Sequence, residues 1–166
     1  MKAESIPDLL QIRAALRTEL VLLSRLAYDS KASRGYPERY MSVWREALTV
    51  TKHQLQTGSV RVAAYYENIV GFTTVVLDAV PPEAELQLDK ALILEHCFIR
   101  PDFIGRGIGR LLMEDVRGQH VLSEDCPLYI EADPEAEGFY RRLGAVRVGR
   151  VPTLIPGRWL PVLLWY

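Results

Sequence analysis

The chain of 166 residues is long enough for one domain with a sizeable hydrophobic core. Hydrophobic residues make up 49% of it and charged residues 25%, as in ordinary soluble globular proteins. The net charge of −1 disfavours nucleic acid as a partner, and the apolar runs fall well short of the ~20 residues that a membrane-spanning helix needs. Because we find no signal-peptide pattern and no metal-ligand spacing around Cys97 and Cys126, we expect a reduced, cytoplasmic protein without a metal.

The first third of the chain predicts one short strand followed by helices. Residues 1–16 are ambiguous between a short strand and a first helical turn, and we favour a strand near residues 9–14. Apolar residues at helical spacing indicate a helix over residues 18–31 and a second one over residues 37–49, with Pro37 in its first turn. Thr51 is placed to cap a further short helix that ends at Gly58.

The rest of the chain alternates strands with two helices. We predict strands over residues 60–66, 69–77, 90–100, 127–132, 145–151 and 160–166, and helices over residues 107–122 and 133–144. Glu67-Asn68 reads as a tight turn that makes the first two of these strands a hairpin. Proline has no N–H to donate to the hydrogen bonds between strands. We therefore expect either that Pro161 lies at the start of the last strand or that this strand is at an edge of the sheet.

The order of these elements predicts an α/β (α+β) fold with a mixed, mostly antiparallel sheet and helices on both faces. The strand–helix–strand unit over residues 90–132 implies a parallel pair within it, and the hairpins imply antiparallel pairing elsewhere. No repeat and no linker interrupts the sequence, so we expect a single domain over residues 1–166.

A glycine-rich stretch over residues 94–112 is the most informative part of the sequence. A strand ends at Pro101, Gly105, Gly107 and Gly109 follow at intervals of two, and a helical pattern begins directly after them. Bare backbone N–H groups at the start of a helix form a site for phosphate. The stretch therefore predicts a binding site for the pyrophosphate of a nucleotide-like cofactor.

Two common phosphate motifs do not fit this stretch. The P-loop pattern, which ends in Gly-Lys-Ser/Thr, is missing from the sequence. The dinucleotide pattern Gly-x-Gly-x-x-Gly fails in both registers, because its last position falls on Arg110 or on Leu112. A nucleotide-dependent oxidoreductase is therefore the third choice, behind proteins that bind an acyl-CoA.

Residues 94–112 resemble the central motif of the GNAT superfamily of N-acetyltransferases, roughly Gln/Arg-x-x-Gly-x-Gly/Ala after a strand that ends near Val/Ile-x-Pro. Ile99-Arg100-Pro101 matches the strand end, Gly107-Ile108-Gly109 matches the glycine core, and Gly105-Arg106 lies between them. The departure is Ile104, which stands where the family usually has Gln or Arg.

A second segment, over residues 133–145, resembles the family's Asn-x-x-Ala-x-x-Phe-Tyr-x-x-Leu-Gly-Phe pattern. Ala136, Phe139-Tyr140 and Leu143-Gly144 match it, whereas Asp133 replaces the usual Asn and Ala145 the usual Phe. The resemblance covers about residues 59–151 well and the N-terminal helices only by position.

The resemblance implies a fold in which the parallel strands 90–100 and 127–132 splay apart and hold acetyl-CoA. The backbone of the first strand's end would pair with the pantetheine arm, the N–H groups of the glycine turn would face the pyrophosphate, and Arg106 and Arg110 could add charge-assisted contacts. The cofactor-binding residues implied in this way are Phe98, Ile99, Arg100, Gly105, Arg106, Gly107, Ile108, Gly109, Arg110, Asp133 and Tyr140.

Acetyl transfer to an amine requires a base for the amine and a proton donor for the departing thiolate. Tyr140 matches the family's helix tyrosine and is our candidate donor. Glu95 is our candidate base, because an apolar strand would raise its pKa, with Glu131 or a water molecule as the alternative. His96 faces away from Glu95 and is expected to pack in the core, and a covalent step at Cys97 is disfavoured because burial keeps a thiol protonated.

These observations favour an N-acetyltransferase that uses acetyl-CoA and transfers the acetyl group directly in a ternary complex. A domain of the same fold that binds acyl-CoA without catalysis is the alternative. The partner would be a small-molecule or peptide amine, with no nucleic acid, membrane or metal, and the family resemblance leaves a homodimer open. Candidate residues for the acceptor site are Tyr36, Arg39, Tyr40, Trp44, Arg158 and Trp159.

Overall fold

The computed structural model describes residues 9–166. Five helices and seven strands follow one another along this part of the chain. Their bounds are β1 Leu10–Ala14, α1 Leu20–Ala32, α2 Glu38–Trp44, α3 Lys52–Thr57, β2 Ser59–Tyr65, β3 Asn68–Ala79, β4 Lys90–Ile99, α4 Ile108–Gln119, β5 Leu128–Glu131, α5 Glu137–Arg142, β6 Val146–Pro152 and β7 Trp159–Trp165. Among residues 9–166, no helix is long and apolar enough to cross a membrane.

The strands form a seven-stranded sheet in the order β1-β2-β3-β4-β5-β7-β6. The pairs β1–β2, β2–β3, β5–β7 and β6–β7 are antiparallel, whereas β4 and β5 are parallel. The parallel ladder joins Leu92 to Leu128 and Ile93 to Tyr129. This topology confirms the predicted fold class, a mixed and mostly antiparallel sheet with one parallel pair.

The chain divides into two compact units. The first extends to Val75 and includes His96–Gln119, and the second comprises Val76–Glu95 and His120–Tyr166. The chain passes from one unit to the other inside β3, inside β4 and at the end of α4. The single domain expected over residues 1–166 stays a prediction, and its first eight residues lie outside the described part of the chain.

In the first unit, helices cover both faces of the strands. Val62 of β2 packs into a cluster with Leu23 of α1 and Met41 of α2. The next residue, Ala63, packs into a separate cluster with Ile108 of α4. Consecutive residues of a strand point to opposite faces, so α1 and α2 lie on one face and α4 on the other.

Gly71 of β3 lies where three elements of the first unit approach one another closely. A Cβ atom at this position would lie 2.8 Å from Cδ1 of Ile99, 3.1 Å from the backbone oxygen of Phe98 and 3.2 Å from Cδ1 of Leu112. Real Cβ atoms essentially never come within 3.0 Å of another group. The missing side chain of Gly71 therefore allows β3 to pack against the end of β4 and against α4.

The second unit has its own apolar cluster. One prediction for its last strand, that the strand lies at an edge of the sheet, differs from the structure. The cluster is made of Val80, Ala84, Ala91, Tyr129, Val151, Val162 and Leu164. Pro161 is the third residue of β7, which pairs with β5 on one side and β6 on the other, so the edge-strand alternative is wrong. Pro161 lies near the start of the strand, and its carbonyl accepts a hydrogen bond from the Ala132 N–H, at 3.0 Å.

Two other local predictions differ from the structure. The hairpin turn is formed by Tyr66 and Glu67, one residue earlier than expected, because Tyr65 pairs with Asn68. Tyr66 has a φ of 53°, a conformation that bulky residues rarely adopt. The second helix ends at Trp44 rather than near residue 49, and the chain that follows is held to α1 by a hydrogen bond from the Val50 N–H to Oγ of Ser24.

Candidate active site

The turn between β4 and α4 contains the backbone N–H groups that the sequence predicts to bind a pyrophosphate. Gly105 and Gly107 both have a φ of 82°, in the left-handed region that glycine enters at least cost. The first hydrogen bond of α4 runs from the Leu111 N–H to the Gly107 carbonyl, at 3.2 Å. The N–H groups directly before Leu111 therefore precede the helix's own hydrogen-bond ladder.

The surroundings of this turn fit a pyrophosphate. A Cβ atom at Gly105 would meet no heavy atom within 4 Å, so a ligand can approach the backbone. The positive end of the α4 dipole and the helix's first N–H groups both favour a negatively charged ligand. Ile108 is 1% exposed and anchors the turn in the core, so it would offer only its backbone. The side chain of Ile104 is 52% exposed and has no hydrogen-bond donor to replace that of Gln or Arg.

Arginine side chains surround the turn. The Arg100 guanidinium makes two hydrogen bonds of 2.7 Å to the carboxylate of Asp102 and lies 4.5 Å from the ring centroid of Phe103. The hydrogen bonds to Arg100 lower the pKa of Asp102. Arg106 lies 5.3 Å from the same ring centroid. The Phe103 ring thus holds two cationic groups next to the glycine turn.

Arg110, the third arginine, lies in the first turn of α4. Its Nε donates a hydrogen bond of 2.8 Å to Glu114, one helical turn further on. Both side chains are largely exposed, at 72% and 51%, so water screens this pair. An anionic ligand could therefore replace the Glu114 carboxylate at little cost.

The end of β4 offers only part of its backbone to a ligand. The Arg100 N–H donates a hydrogen bond of 2.8 Å to the Val70 carbonyl of β3. Backbone groups alternate between the two sides of a strand, so we expect those of Phe98 to point towards β3 as well. Of the three residues predicted to pair with a pantetheine arm, Ile99 is the one expected to direct its backbone to the opposite side.

The side chains of β4 differ sharply in exposure. Glu95 is exposed, which removes the apolar surroundings on which its assignment as a base relied. His96 is 2% exposed and packs against the rings of Phe72 and Phe98, as expected for a core residue. Its Nε2 lies 2.9 Å from the Ala47 carbonyl. Because a carbonyl only accepts, Nε2 carries the proton in this contact.

Tyr140 and Asp133 belong to the second unit. Tyr140 lies in α5, is 7% exposed and meets the ring of Phe139 edge-on, at a centroid distance of 5.0 Å. Asp133 precedes the helix and accepts a hydrogen bond from the Glu135 N–H. Its other oxygen lies 3.4 Å from the guanidinium of Arg158, and both side chains are mostly buried. Arg158, a candidate for the acceptor site, is therefore already paired.

Two side chains of β5 form a hydrogen bond that was not predicted from the sequence. The Tyr129 hydroxyl donates to the carboxylate of Glu131 at 2.9 Å. Burial and the negative charge of Glu131 both raise the pKa of Tyr129, so its hydroxyl stays protonated. The two residues lie two apart in a strand and share a face, which is the signal that could have indicated the pair. Glu131, the alternative base, is thus oriented by a buried neighbour.

The remaining acceptor candidates form two aromatic groups. In the first unit, the Trp44 ring lies 4.9 Å from that of Tyr36 and 5.7 Å from that of Tyr40, both measured between centroids. In the second unit, the Arg150 guanidinium lies 4.5 Å from the Trp159 ring centroid. Within residues 9–166, no cluster of three or more His, Cys, Asp or Glu side chains could hold a metal ion.

Comparison with known proteins adds independent information about this chain. A family model described as the acetyltransferase (GNAT) domain matches residues 56–144, more than half of the chain. Comparison with curated protein sequences found no match.

Several solved structures share the fold. A GCN5-related N-acetyltransferase from Rhodopseudomonas palustris is 18% identical, with a TM-score of 0.67 over 99% of this chain and 96% of that one. Arabidopsis thaliana Naa50, in complex with the bisubstrate analogue CoA-Ac-MVNAL, is 15% identical, with a TM-score of 0.65 over 95% and 99%. The PaiA N-acetyltransferase from Thermoplasma acidophilum, in complex with coenzyme A, is 17% identical, with a TM-score of 0.65 over 95% and 99%.

Proposed function

Because the chain belongs to the GNAT acetyltransferase family, we propose that it is an acetyl-CoA-dependent N-acetyltransferase that transfers the acetyl group directly to a primary amine while both substrates are bound. The observation that carries the proposal is the glycine turn, where Gly105 and Gly107 hold a left-handed backbone ahead of α4. Acetyl-CoA would supply the activated acyl group as a thioester.

In this proposal, the first unit binds the cofactor. The N–H groups of residues 105–110 bind the pyrophosphate, and the Arg106 and Arg110 guanidinium groups add positive charge beside it. The backbone of Ile99, the residue expected to be directed away from β3, orients the pantetheine arm as an added strand would. Arg100 contributes through its side chain, because its N–H already bonds to Val70.

The proton transfers are assigned to carboxylate and phenol groups. Glu95 accepts the proton that the amine loses, directly or through a water molecule that its exposed position admits, and Glu131 is the alternative acceptor. The Tyr140 hydroxyl holds the proton for the departing sulfur, and the burial of the ring restricts its orientation. Asp133 precedes α5 and pairs with Arg158, and this pair would fix the start of that helix.

A thiol-release assay tests this proposal. The protein is incubated with acetyl-CoA and a panel of primary amines, and free CoA thiol is measured. Tyr140→Phe is expected to lower kcat by about 10²–10⁴-fold, the contribution typical of general acid–base groups, with a much smaller effect on the Kd for acetyl-CoA because the ring is retained. Tyr66→Phe is the matched control, because Tyr66 lies exposed in the hairpin turn and should leave kcat unaffected.

Two outcomes would redirect the proposal. If acetyl-CoA binds but no amine releases thiol, and Tyr140→Phe changes nothing, the chain is a non-catalytic acyl-CoA-binding domain of the same fold. If the Glu95→Gln and Glu131→Gln variants both keep full activity across the pH range, neither carboxylate is the base and a water molecule takes that part. Absence of any acetyl-CoA binding would refute the proposal itself.

A further inference from the structure

Tyr129 of β5 places a hydroxyl beside Glu131, one of the two carboxylates considered as the base. The Tyr129 ring is 1% exposed and packs among apolar side chains of the second unit, whereas Glu131 is exposed. The hydroxyl donates a hydrogen bond of 2.9 Å to Oε1 of Glu131. Burial raises the pKa of Tyr129, and the negative charges of Glu131 and Glu83 raise it further. The hydroxyl therefore keeps its proton and acts as a donor.

The sheet places this pair where β4 and β5 leave their parallel ladder. The ladder joins Ile93 to Tyr129, and both strands continue beyond this pair. Glu95 and Glu131 each lie two residues further on, so the alternation of side chains puts them on the same face as Ile93 and Tyr129. All four residues belong to the second unit, as does Tyr140. Register and alternation thus bring Tyr129 to the same part of the sheet as both candidate bases.

The hydrogen bond orients a side chain that would otherwise turn freely. An exposed glutamate samples many rotamers, and a buried donor that holds one of its oxygens removes most of this freedom. Within residues 9–166, no group donates a hydrogen bond to the second oxygen, Oε2 of Glu131. A carboxylate held by one oxygen and open at the other is oriented to accept a proton without first having to reorganise.

We propose that Tyr129 is a positioning residue that holds Glu131 by Oε1, so that Oε2 takes the proton of the amine and Glu131, rather than Glu95, is the base. This inference rests on the proposed N-acetyltransferase function and deepens it. The ammonium loses one proton to Oε2, and the nitrogen electron pair that is freed attacks the acetyl carbonyl. Tyr140 gives its proton to the departing sulfur and regains one when the nitrogen becomes an amide. Glu131 then returns its proton to water, to which its side chain is exposed.

Substitutions that keep the shape of each side chain test this role. Tyr129→Phe removes only the hydroxyl, and we expect it to lower kcat about 5–30-fold with little change in the KM for acetyl-CoA. Glu131→Gln should lower kcat by about 10²–10⁴-fold, and Glu95→Gln by less than about threefold. Tyr28→Phe is the matched control, because it removes a hydroxyl that lies 3.4 Å from the carboxylate of Glu38, and it should leave kcat unchanged.

Two comparisons separate positioning from structural support. In the Glu131→Gln background, Tyr129→Phe should have no further effect on kcat, because the hydroxyl acts only through the carboxylate. Its effect should also shrink for an amine with fluorine on the carbon next to the aminomethyl group, because this amine is much less basic and more of it is already neutral at about pH 7. If Tyr129→Phe lowers kcat equally for both amines and in both backgrounds, the hydroxyl is structural and the inference is wrong. An unchanged kcat in Tyr129→Phe would also overturn it, because Glu131 would then only satisfy a buried hydroxyl.

Urea unfolding separates this inference from the proposed function. Tyr129→Phe and Glu131→Met, which keeps the length of the side chain without its oxygens, are measured singly and together. We expect the double variant to lose less stability than the two single losses combined, because both changes remove the same hydrogen bond. Additive losses would show that this bond is not made in solution and would overturn the inference. If the losses are coupled but no amine is acetylated, the function fails and the positioning role fails with it. If the parent chain acetylates an amine and Tyr129→Phe keeps its kcat, the function stands and the positioning role alone fails.

Discussion

At the scale of single residues, the backbone of Gly105 supports the proposed binding of acetyl-CoA more directly than any side chain does. Its φ of 82° places it where a side chain is strained, while the space around the absent Cβ is open. A substitution there changes the backbone preference and adds no collision within the protein. A substitution at Gly105 therefore tests the backbone conformation of the turn without disturbing the packing beneath it.

Replacing Gly105 by Ala should weaken acetyl-CoA binding about tenfold. The left-handed conformation costs an L-residue roughly 1–2 kcal/mol, which the turn would relieve by moving its N–H groups. Isothermal titration calorimetry with acetyl-CoA measures the change. Gly118→Ala in α4 is the control, because it also has open space but an ordinary φ, and it should raise stability by ~0.5–1 kcal/mol with the affinity unchanged. Equal affinities in both variants would contradict the prediction.

Glu19 should make stability depend on pH. Its carboxylate accepts hydrogen bonds from Arg13 at 2.7 and 3.0 Å and from the Leu16 N–H at 2.7 Å. The Arg13 hydrogen bonds lower the pKa of Glu19 from its ordinary value of 4.5. A lowered pKa in the folded state means that this contribution is complete above pH 4.5 and is lost as the pH falls through the lowered value.

The comparison of urea unfolding midpoints between the parent chain and Glu19→Gln tests this pH dependence. The parent chain should be the more stable at pH 7, and the gap should close steadily on acidification below pH 4.5. Glu124→Gln makes the same chemical change at an exposed loop residue and should show no such closing gap. A gap that stays constant down to acid pH would show that the Glu19 carboxylate does not act through its charge.

At the scale of elements, α4 is joined to the sheet by a pair of charged side chains. The Arg61 guanidinium of β2 makes hydrogen bonds of 2.8 and 3.1 Å to the Asp115 carboxylate of α4, and the side chains are 18% and 15% exposed. Hydrogen bonds between charged groups with little solvent contact are stronger than surface pairs. The pair fixes the helix whose first residues form the glycine turn.

A double-mutant cycle on Arg61 and Asp115 should give a coupling free energy of about 1–2 kcal/mol. Arg61→Met and Asp115→Asn are measured singly and together by urea unfolding. The pair Arg110 and Glu114, on the same helix but largely exposed, should give only ~0.3–0.5 kcal/mol in the same experiment. Similar couplings for the two pairs would mean that burial does not strengthen the link between β2 and α4.

At the scale of the whole molecule, the chain passes between the two compact units at three points. These lie between Val75 and Val76 in β3, between Glu95 and His96 in β4, and between Gln119 and His120 at the end of α4. A strand that frays in one unit therefore loses order at its continuation in the other. This continuity leads us to expect that the units unfold together.

Tryptophan residues in both units allow the unfolding of each unit to be followed separately. Trp44 belongs to the first unit, and Trp159 and Trp165 belong to the second. Incorporation of 5-fluorotryptophan gives three ¹⁹F resonances, assigned by single Trp→Phe variants, that can be followed through one urea titration. A common midpoint is expected for a single cooperative domain. Two separate midpoints would mean that the chain contains two domains.

The sequence predicted the features that depend on local backbone chemistry. The glycine turn, the Thr51 cap and the strand–helix–strand unit around α4 were all indicated, because each follows from the steric properties of a few neighbouring residues. The Thr51 cap is an example, because the Thr51 hydroxyl oxygen accepts a hydrogen bond from the Gln54 N–H. The glycine turn and the strand–helix–strand unit also contributed to the family resemblance, whereas the Thr51 cap did not.

Features that depend on distant packing were not predicted. The placement of Lys31 against Trp44 requires α1 and α2 to meet at a particular angle, which no short pattern encodes. The exposure of Glu95 depends on what covers β4, and the left-handed Tyr66 depends on a register that the hairpin sets as a whole. None of these features could be predicted from the sequence, because tertiary contacts determine each of them.

The close approach at Gly71 constrains the order in which the chain can accept mutations. Gly71→Ala alone would place its new methyl group 2.8 Å from Cδ1 of Ile99. Ile99→Val removes that atom, so the alanine should cost less stability after it, although the Phe98 oxygen at 3.1 Å and Cδ1 of Leu112 at 3.2 Å remain close. The effects of the two substitutions are therefore expected to be non-additive. A sequence that changes β4 before β3 should lose less stability on the way than one that changes β3 first, although both encode the same fold.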